Sequence, residues 1–303
     1  MEDKIEAYTK IFKKSDGIQD WFGYEVEVTE KIDGSQFGFG KIKGELVYRS
    51  KGQQIFKESV EGMFKTAVDY VEKIADKIPD NHIFYCEYLQ TPHHNVLEYD
   101  RVPKNNLILF GVLKEGEYVS EYEQLEEYAK LLDIEVVPLL YRGIIRSFEE
   151  LEDLLDQRSV LGGVKIEGVV AKQYRPFQYR NFIFPIAPLK IVSEKFKEVK
   201  EVNYKKNTTK GSWDDFKAKF HTEARWQKAV RHLEDEGKLT NTPQDIGVLM
   251  KEVQEDIAQE EGESIKEFLW NKFGKDLLRE STKRLPEWYK DKLSLLFEED
   301  EKI

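Results

Sequence analysis

The chain has 303 residues, 40% hydrophobic and 13% aromatic, enough for a packed core and more than one small domain needs. Its formal net charge of -11 argues against a surface coated in basic residues for indiscriminate nucleic-acid binding, but leaves room for a local basic groove. A single cysteine, Cys86, excludes an internal disulfide and fits a reducing compartment; with no signal-like start and no membrane-length apolar run, a cytoplasmic protein is the expectation.

From Gly23 to about Val202, short strand patterns alternate with helices. YEVEVTEKI alternates with period two, placing Tyr24, Val26, Val28 and Ile32 on one face and Lys31 on the other, with Asp33 beside it and Gly34 free to turn. GELVYRS alternates in the same way. Val60, Phe64, Ala67, Val71, Ile74 and Ile78 recur at helical spacing. NHIFYCEYL and NNLILFGVL read as more fully buried strands, EYEQLEEYAKLL as a helix and IEVVPLL as another strand. Ser147 and Glu150 have capping-box spacing and start a helix through Leu151, Leu154 and Leu155. KIEGVVAKQY and APLKIVS close this region as strands.

The polar segment from Glu201 to Ser212 reads as a boundary. Beyond it strand signals almost vanish. WDDFKAKFHTEARWQKAVRHL, DIGVLMKEVQEDIAQ, SIKEFLWNKFGKDLL and PEWYKDKLSLLF all read as helices, and Thr242-Pro243 supplies a capping residue with proline in the first turn. The expected organisation is α+β, with a first domain over 1–205 built on antiparallel sheets and flanking helices, and an all-α domain over 206–303.

A lysine at a strand end followed by Asp-Gly is by itself an ordinary solvated residue before a turn. The chain carries more. K-x-D-G at Lys31 is followed, in order, by RSK at Arg49, YCEY at Glu87, LILFGV at Phe110, KIEGVVAK at Glu167 and LKIVSEKF at Lys190. The first and fifth elements are specific, and the others gain weight from their order. The set spans roughly residues 20 to 200 and resembles the covalent nucleotidyltransferases: ATP-dependent polynucleotide ligases and the related capping enzymes. Those with DNA substrates and the capping enzymes usually continue into a β-rich domain. The helical tail here, with EKIxG, EGxVxK and LKxxxxKF, instead resembles the RNA ligase class typified by the second RNA ligase of T-even bacteriophages.

That resemblance implies a nucleotidyltransferase fold, an ATP-grasp-like ligase adenylation domain, and a reaction that seals 3′-OH/5′-phosphate RNA ends. ATP and Mg2+, or Mn2+ in its place, would be the cofactors. The partner would be RNA ends, chiefly nicked duplex, with no membrane and a monomeric enzyme. Lys31 would form lysyl-AMP. Glu30 would meet the adenine through its backbone more than its carboxylate, and Arg49 would contact the nucleotide or substrate phosphate. Glu87 would hold the ribose hydroxyls, Phe110 would stack on adenine, Glu167 would place the metal, and Lys172 and Lys190 would contact phosphate. An exposed lysine, with a pKa near ~10.4, is neutral at pH 7 in only about one molecule in a few thousand, so the nucleophile is expected to have a depressed pKa. The class has K-x-K in its last motif; here the second position is Val192 on the face of Lys190, with Lys195, Lys197 or Lys172 as candidate substitutes. The alternatives are a DNA or mixed-substrate ligase, or a catalytically altered protein that binds nucleic-acid ends.

Four stretches admit a plainer reading. Arg49 fits a solvated strand residue and Phe110 a plain core residue. His93 and His94 are adjacent and would point to opposite faces of a strand, so TPHHNVLEYDRVPKNN reads as a loop at the pocket rim, with Asp100, Arg101 and Lys104 near nucleic acid. Trp213, Lys217, Lys219, His221, Arg225, Trp226, Lys228 and Arg231 fit either a phosphate-gripping helix or a solvated amphipathic one with its tryptophans in the core.

Overall fold

The computed structural model describes residues 4–57, 62–193 and 211–300. The chain divides into two compact units, Met1–Met250 and Lys251–Ile303. The expected boundary segment around 201–212 lies almost wholly outside the described residues, as do Lys195, Lys197 and Val60.

The first unit opens with β1 (Phe12–Lys13), β2 (Glu25–Lys31), β3 (Ser35–Ile42), β4 (Glu45–Ser50) and β5 (Gln54–Ile55). Helix α1 (Lys65–Lys73) follows, then β6 (His82–Tyr88), β7 (Leu107–Lys114) and β8 (Glu117–Tyr118). Next come α2 (Tyr122–Leu131), β9 (Glu135–Val136), β10 (Leu139–Ile144) and α3 (Phe148–Glu152), where the Ser147 hydroxyl accepts from the Glu150 N–H as the capping spacing requires. The sheet region ends with β11 (Gly168–Gln173), β12 (Phe177–Tyr179), β13 (Phe182–Phe184) and β14 (Ala187–Val192). Then α4 (Gly211–Ala218) and α5 (Glu223–Asp235) complete this part of the chain, and α6 (Ile246–Ser281) runs from the first unit into the second. The second unit is the rest of α6 and α7 (Leu285–Asp300). No helix among the described residues is long and apolar enough to cross a membrane.

One sheet has the order β1-β14-β11-β2-β10, the other β5-β4-β3-β6-β7-β8 with β9 also on β7. Their pairings are antiparallel except β1 on β14 and β9 on β7. Helices α1 and α2 cover one face of the second sheet: Ala67, Val68, Val71, Leu125 and Ala129 pack with Phe37, Phe39, Phe84, Cys86, Leu109 and Val112. The first sheet buries Val26, Val28, Val169, Ala171, Leu189 and Ile191 against Phe12, Trp21, Leu151 and Ile166. Two connections join the sheets near Lys31. The turn between Lys31 and Ser35 carries the chain from the first sheet to the second, because β2 and β3 are neighbours in sequence but belong to different sheets. Pro138 does the reverse: the single strand expected from IEVVPLL is split into β9 in the second sheet and β10 in the first, since proline offers no N–H to a ladder.

Candidate active site

Register assigns the faces of the first sheet. Lys31 lies opposite Gly168, which lies opposite Val192; Thr29, Val170 and Lys190 form the next row, and Glu27, Lys172 and Pro188 the one after. Directly opposed residues in an antiparallel pair share a face. Lys31, Lys172, Lys190 and Val192 therefore sit on the face away from the Val26–Val28 core. The sequence expectation that Val192 shares the Lys190 face agrees with this register. Gly168 is the residue that lets β11 approach β14: a Cβ there would stand 2.3 Å from the Ile191 carbonyl oxygen.

In the second sheet, Gln36 opposes Glu87 and Gly38 opposes both Arg49 and Tyr85. This row lies on the face opposite the α1–α2 core. Phe110 falls in a register break between β6 and β7, where Tyr85 pairs with Gly111 and Cys86 with Leu109. The two sheets converge here: the Lys172 ammonium donates to the Phe110 carbonyl, and the Glu87 carboxylate acts electrostatically on Lys31.

Lys31 donates from Nζ to Glu167 Oε2, and the two form an ion pair with the Glu167 side chain 8% exposed. Burial pushes the lysine's pKa down, but Glu167, Glu87 and Asp33 outweigh it and raise the pKa well above the ordinary value. The expected depression is therefore reversed: three carboxylates gathered from different elements hold the amine protonated. Burial raises Glu87 to about 7, opposed by Lys31 and Lys51. Lys172 is the lysine that burial lowers, to about 8. Lys190 is half-buried on the same face.

Other expected residues are held differently. Arg49 is 7% exposed. Its guanidinium donates to the carbonyls of Ser50 (3.0 Å), Ile5 (2.8 Å) and Lys51 (3.1 Å), so it binds main chain. Gln54 grips Ile5 from both sides, and the Tyr85 hydroxyl donates to the Glu6 carbonyl at 3.1 Å. The segment from Ile5 to Thr9 is thus strapped to the second sheet, and the Tyr8 ring meets Phe110 edge-on at 5.1 Å. Sequence reasoning missed this strap; an isolated tyrosine in a charged stretch carries no periodic signal. Glu30 is 2% exposed and on the Val26–Val28 side. Its N–H donates to the Pro138 carbonyl, and its carboxylate, whose pKa burial raises, accepts from Val160 N–H.

The loop after Glu87 folds onto the turn between β2 and β3. Arg101 makes a bidentate pair with Glu135 (2.6 and 2.9 Å), Lys104 pairs with Asp133 at 2.5 Å, and Asp100 sits against Gly162 and Gly163. In the helical tail Arg225 is fully buried with Phe216, Ala229 and Leu233, whereas Trp213 and Trp226 are 38% and 47% exposed. The tryptophans are not core residues, which corrects the amphipathic-helix expectation on that point.

The sequence model of the RNA ligase family matches residues 24–192, more than half of the chain. Among solved structures, a Naegleria gruberi RNA ligase variant with ATP and Mn has 17% identity and a TM-score of 0.46, covering 59% of this chain and 52% of that one. The same organism's RNA ligase with PPi has 16% identity and a TM-score of 0.46, covering 63% of this chain and 57% of that one. The chain thus spans little more than half the length of these structures. No curated protein matches the chain. The family match covers every element from β2 to β14 and all the residues gathered around Lys31, and the chain belongs to the RNA ligase family.

Proposed function

We propose that the protein is an ATP-dependent RNA ligase that seals 3′-OH/5′-phosphate ends through lysyl-AMP and an adenylylated RNA 5′ end, with nicks in duplex RNA as its substrate. The observation that carries this reading is the Lys31–Glu167 pair, facing Glu87 where the two sheets converge. A lysine set among carboxylates beside a half-buried Phe110 and Val170 supports a nucleotide lying between the sheets. Val170 and Phe110 offer apolar surface to a base, and Glu87 offers acceptors to ribose hydroxyls.

Lys31 starts as an ammonium and must lose its proton before attack; Glu167, hydrogen-bonded to Nζ, is the nearest acceptor. The amine lone pair then forms a bond to the α-phosphorus, the bond to the bridging oxygen of the β-phosphate breaks, and pyrophosphate leaves with the electron pair. In the second step an RNA 5′-phosphate oxygen attacks the same phosphorus and returns Nζ to the amine. In the third, a 3′-OH attacks the adenylylated 5′-phosphate and AMP leaves. Lys172 and Lys190 would meet phosphate charge, a role supported by their sharing the face of Lys31.

Among the described residues no group of three or more His, Cys, Asp or Glu could hold a metal ion alone. An ion that arrives with ATP would need only one protein carboxylate to hold it. Glu167 would be that ligand. Held there, Mg2+ or Mn2+ would supply positive charge against the phosphates. The helical region over 206–303 would hold the RNA ends.

The test gives the protein magnesium and ATP, then nicked RNA, nicked DNA and single-stranded RNA in parallel. Fastest sealing of nicked RNA is expected; equal sealing of nicked DNA would shift the reading to a mixed-substrate ligase. A second reading, an altered end-binding protein, draws on Val192, which puts no charge beside Lys190. Protein-bound AMP without sealing of any substrate would be its signature.

A further inference from the structure

The turn that carries the nucleophile is held by a loop the reaction does not use. Asp33 is 8% exposed, and its Oδ2 accepts two consecutive main-chain N–H groups, from Val96 and Leu97, both at 2.8 Å. The Asn95 amide donates to the Gly34 carbonyl at 2.7 Å and to Asp33 Oδ1 at 3.3 Å, and Asn95 is itself 5% exposed. From the other side, the Asp33 N–H donates to the Tyr99 hydroxyl at 2.8 Å. His94, 1% exposed, stands 3.0 Å through Nε2 from the Ser35 hydroxyl and accepts at Nδ1 from Gln90 N–H. Since Nδ1 accepts, a neutral ring carries its proton on Nε2 and donates it to Ser35. Each residue from Asp33 to Ser35 is thus tied to the 94–99 segment.

This turn is also the crossover between the sheets. Its position sets where Lys31, at the end of β2, stands relative to Glu87 on β6. Little slack exists: a Cβ on Gly34 would stand 2.7 Å from the Tyr88 carbonyl oxygen. Loss of one tie would let the turn shift by a fraction of an ångström, and in-line attack is sensitive to displacements of that order.

We propose that the 94–99 loop is a clamp and that Asn95 and Tyr99 are positioning residues for the Lys31 nucleophile. They act through the Asp33–Gly34 turn and touch no substrate. This inference rests on the proposed ligase reaction, and it makes a distinction within that reaction. Adenylylation needs Lys31 in line with the α-phosphate. Sealing of RNA that already carries a 5′-adenylyl group does not use Lys31 as nucleophile, so it is indifferent to small errors in its position.

The experiment measures both activities, with ATP titrated, in wild type, Asn95→Ala and Tyr99→Phe. The second variant removes only a hydroxyl and keeps the ring volume, so it serves if Asn95→Ala does not fold. The expected result is a fall of about tenfold or more in the adenylylation rate at saturating ATP for Asn95→Ala, and a smaller fall for Tyr99→Phe. KM for ATP and sealing of pre-adenylylated nicked RNA should stay within about twofold of wild type, a split that general loss of structure would not produce. Unchanged adenylylation in a folded variant would overturn the clamp, and so would an equal loss of both activities. Failure of the wild type to adenylylate itself would instead overturn the ligase reading.

Discussion

At the scale of single residues, Glu87 is the side chain whose charge is most finely balanced. Its ordinary value of 4.5 is raised to about 7 in the folded protein. A carboxyl with a raised folded pKa binds its proton more tightly in the native state. Its stabilising contribution is therefore complete below the unfolded pKa and is lost as pH rises through the folded one. Glu87→Gln removes this titration. The melting temperature of wild type should fall relative to Glu87→Gln between about pH 4.5 and pH 7.5; parallel curves across that window would contradict the assignment. The pairing of Lys31 with Glu167 was legible in the sequence to the extent that the two residues sit in the two most specific motifs. The direction of the Lys31 shift was not. It depends on carboxylates from β6, the turn and the residue before β11 converging on one amine, and spacing along the chain carries no such distance.

At the scale of elements, the glycines explain both what the sequence showed and what it hid. Gly168 sits between strands that approach too closely for a side chain, with the Ile191 carbonyl oxygen 2.3 Å from where a Cβ would stand. Gly168→Ala should separate β11 from β14 and cost about 1–3 kcal/mol in chemical denaturation; an unchanged midpoint would show that the ladder has slack there. Gly38 and Gly40 occupy the positions between Phe37, Phe39 and Lys41, and two glycines so close together weaken a strand signal, so β3 escapes a pattern-based reading. Yet a Cβ on Gly40 would stand 2.3 Å from the His82 carbonyl oxygen, so the residue that hides the strand also permits it. Most other strands were legible from period-two alternation or short apolar runs. The split at Pro138 was readable in principle, since proline cannot donate to the ladder, but which sheet received each half was not.

At the scale of the molecule, the change from alternating strands to helices was plain in the sequence, while the compact units divide at Met250, inside a continuous helix pattern. Contacts between distant segments set that division, and helical periodicity is blind to them. The second unit exposes large aromatic side chains, Trp270 at 60% and Trp288 at 57%. If the helical region holds RNA ends while the first unit does the chemistry, Trp270→Ala and Trp288→Ala should leave Lys31 adenylylation unchanged. They should weaken sealing of nicked RNA about five-fold to more than a hundred-fold through KM, an effect of about 1–3 kcal/mol per lost stacking contact. Equal loss of both activities, or of neither, would contradict that division of labour.

The account turns on Lys31 as the residue that takes AMP, and one measurement addresses it directly. The protein is incubated with magnesium and ATP labelled at the α-phosphate, digested, and the labelled peptide mapped. Label on Lys31, absent from Lys31→Ala, is the predicted result. Label on any other residue, or undiminished label on Lys31→Ala, would contradict the account.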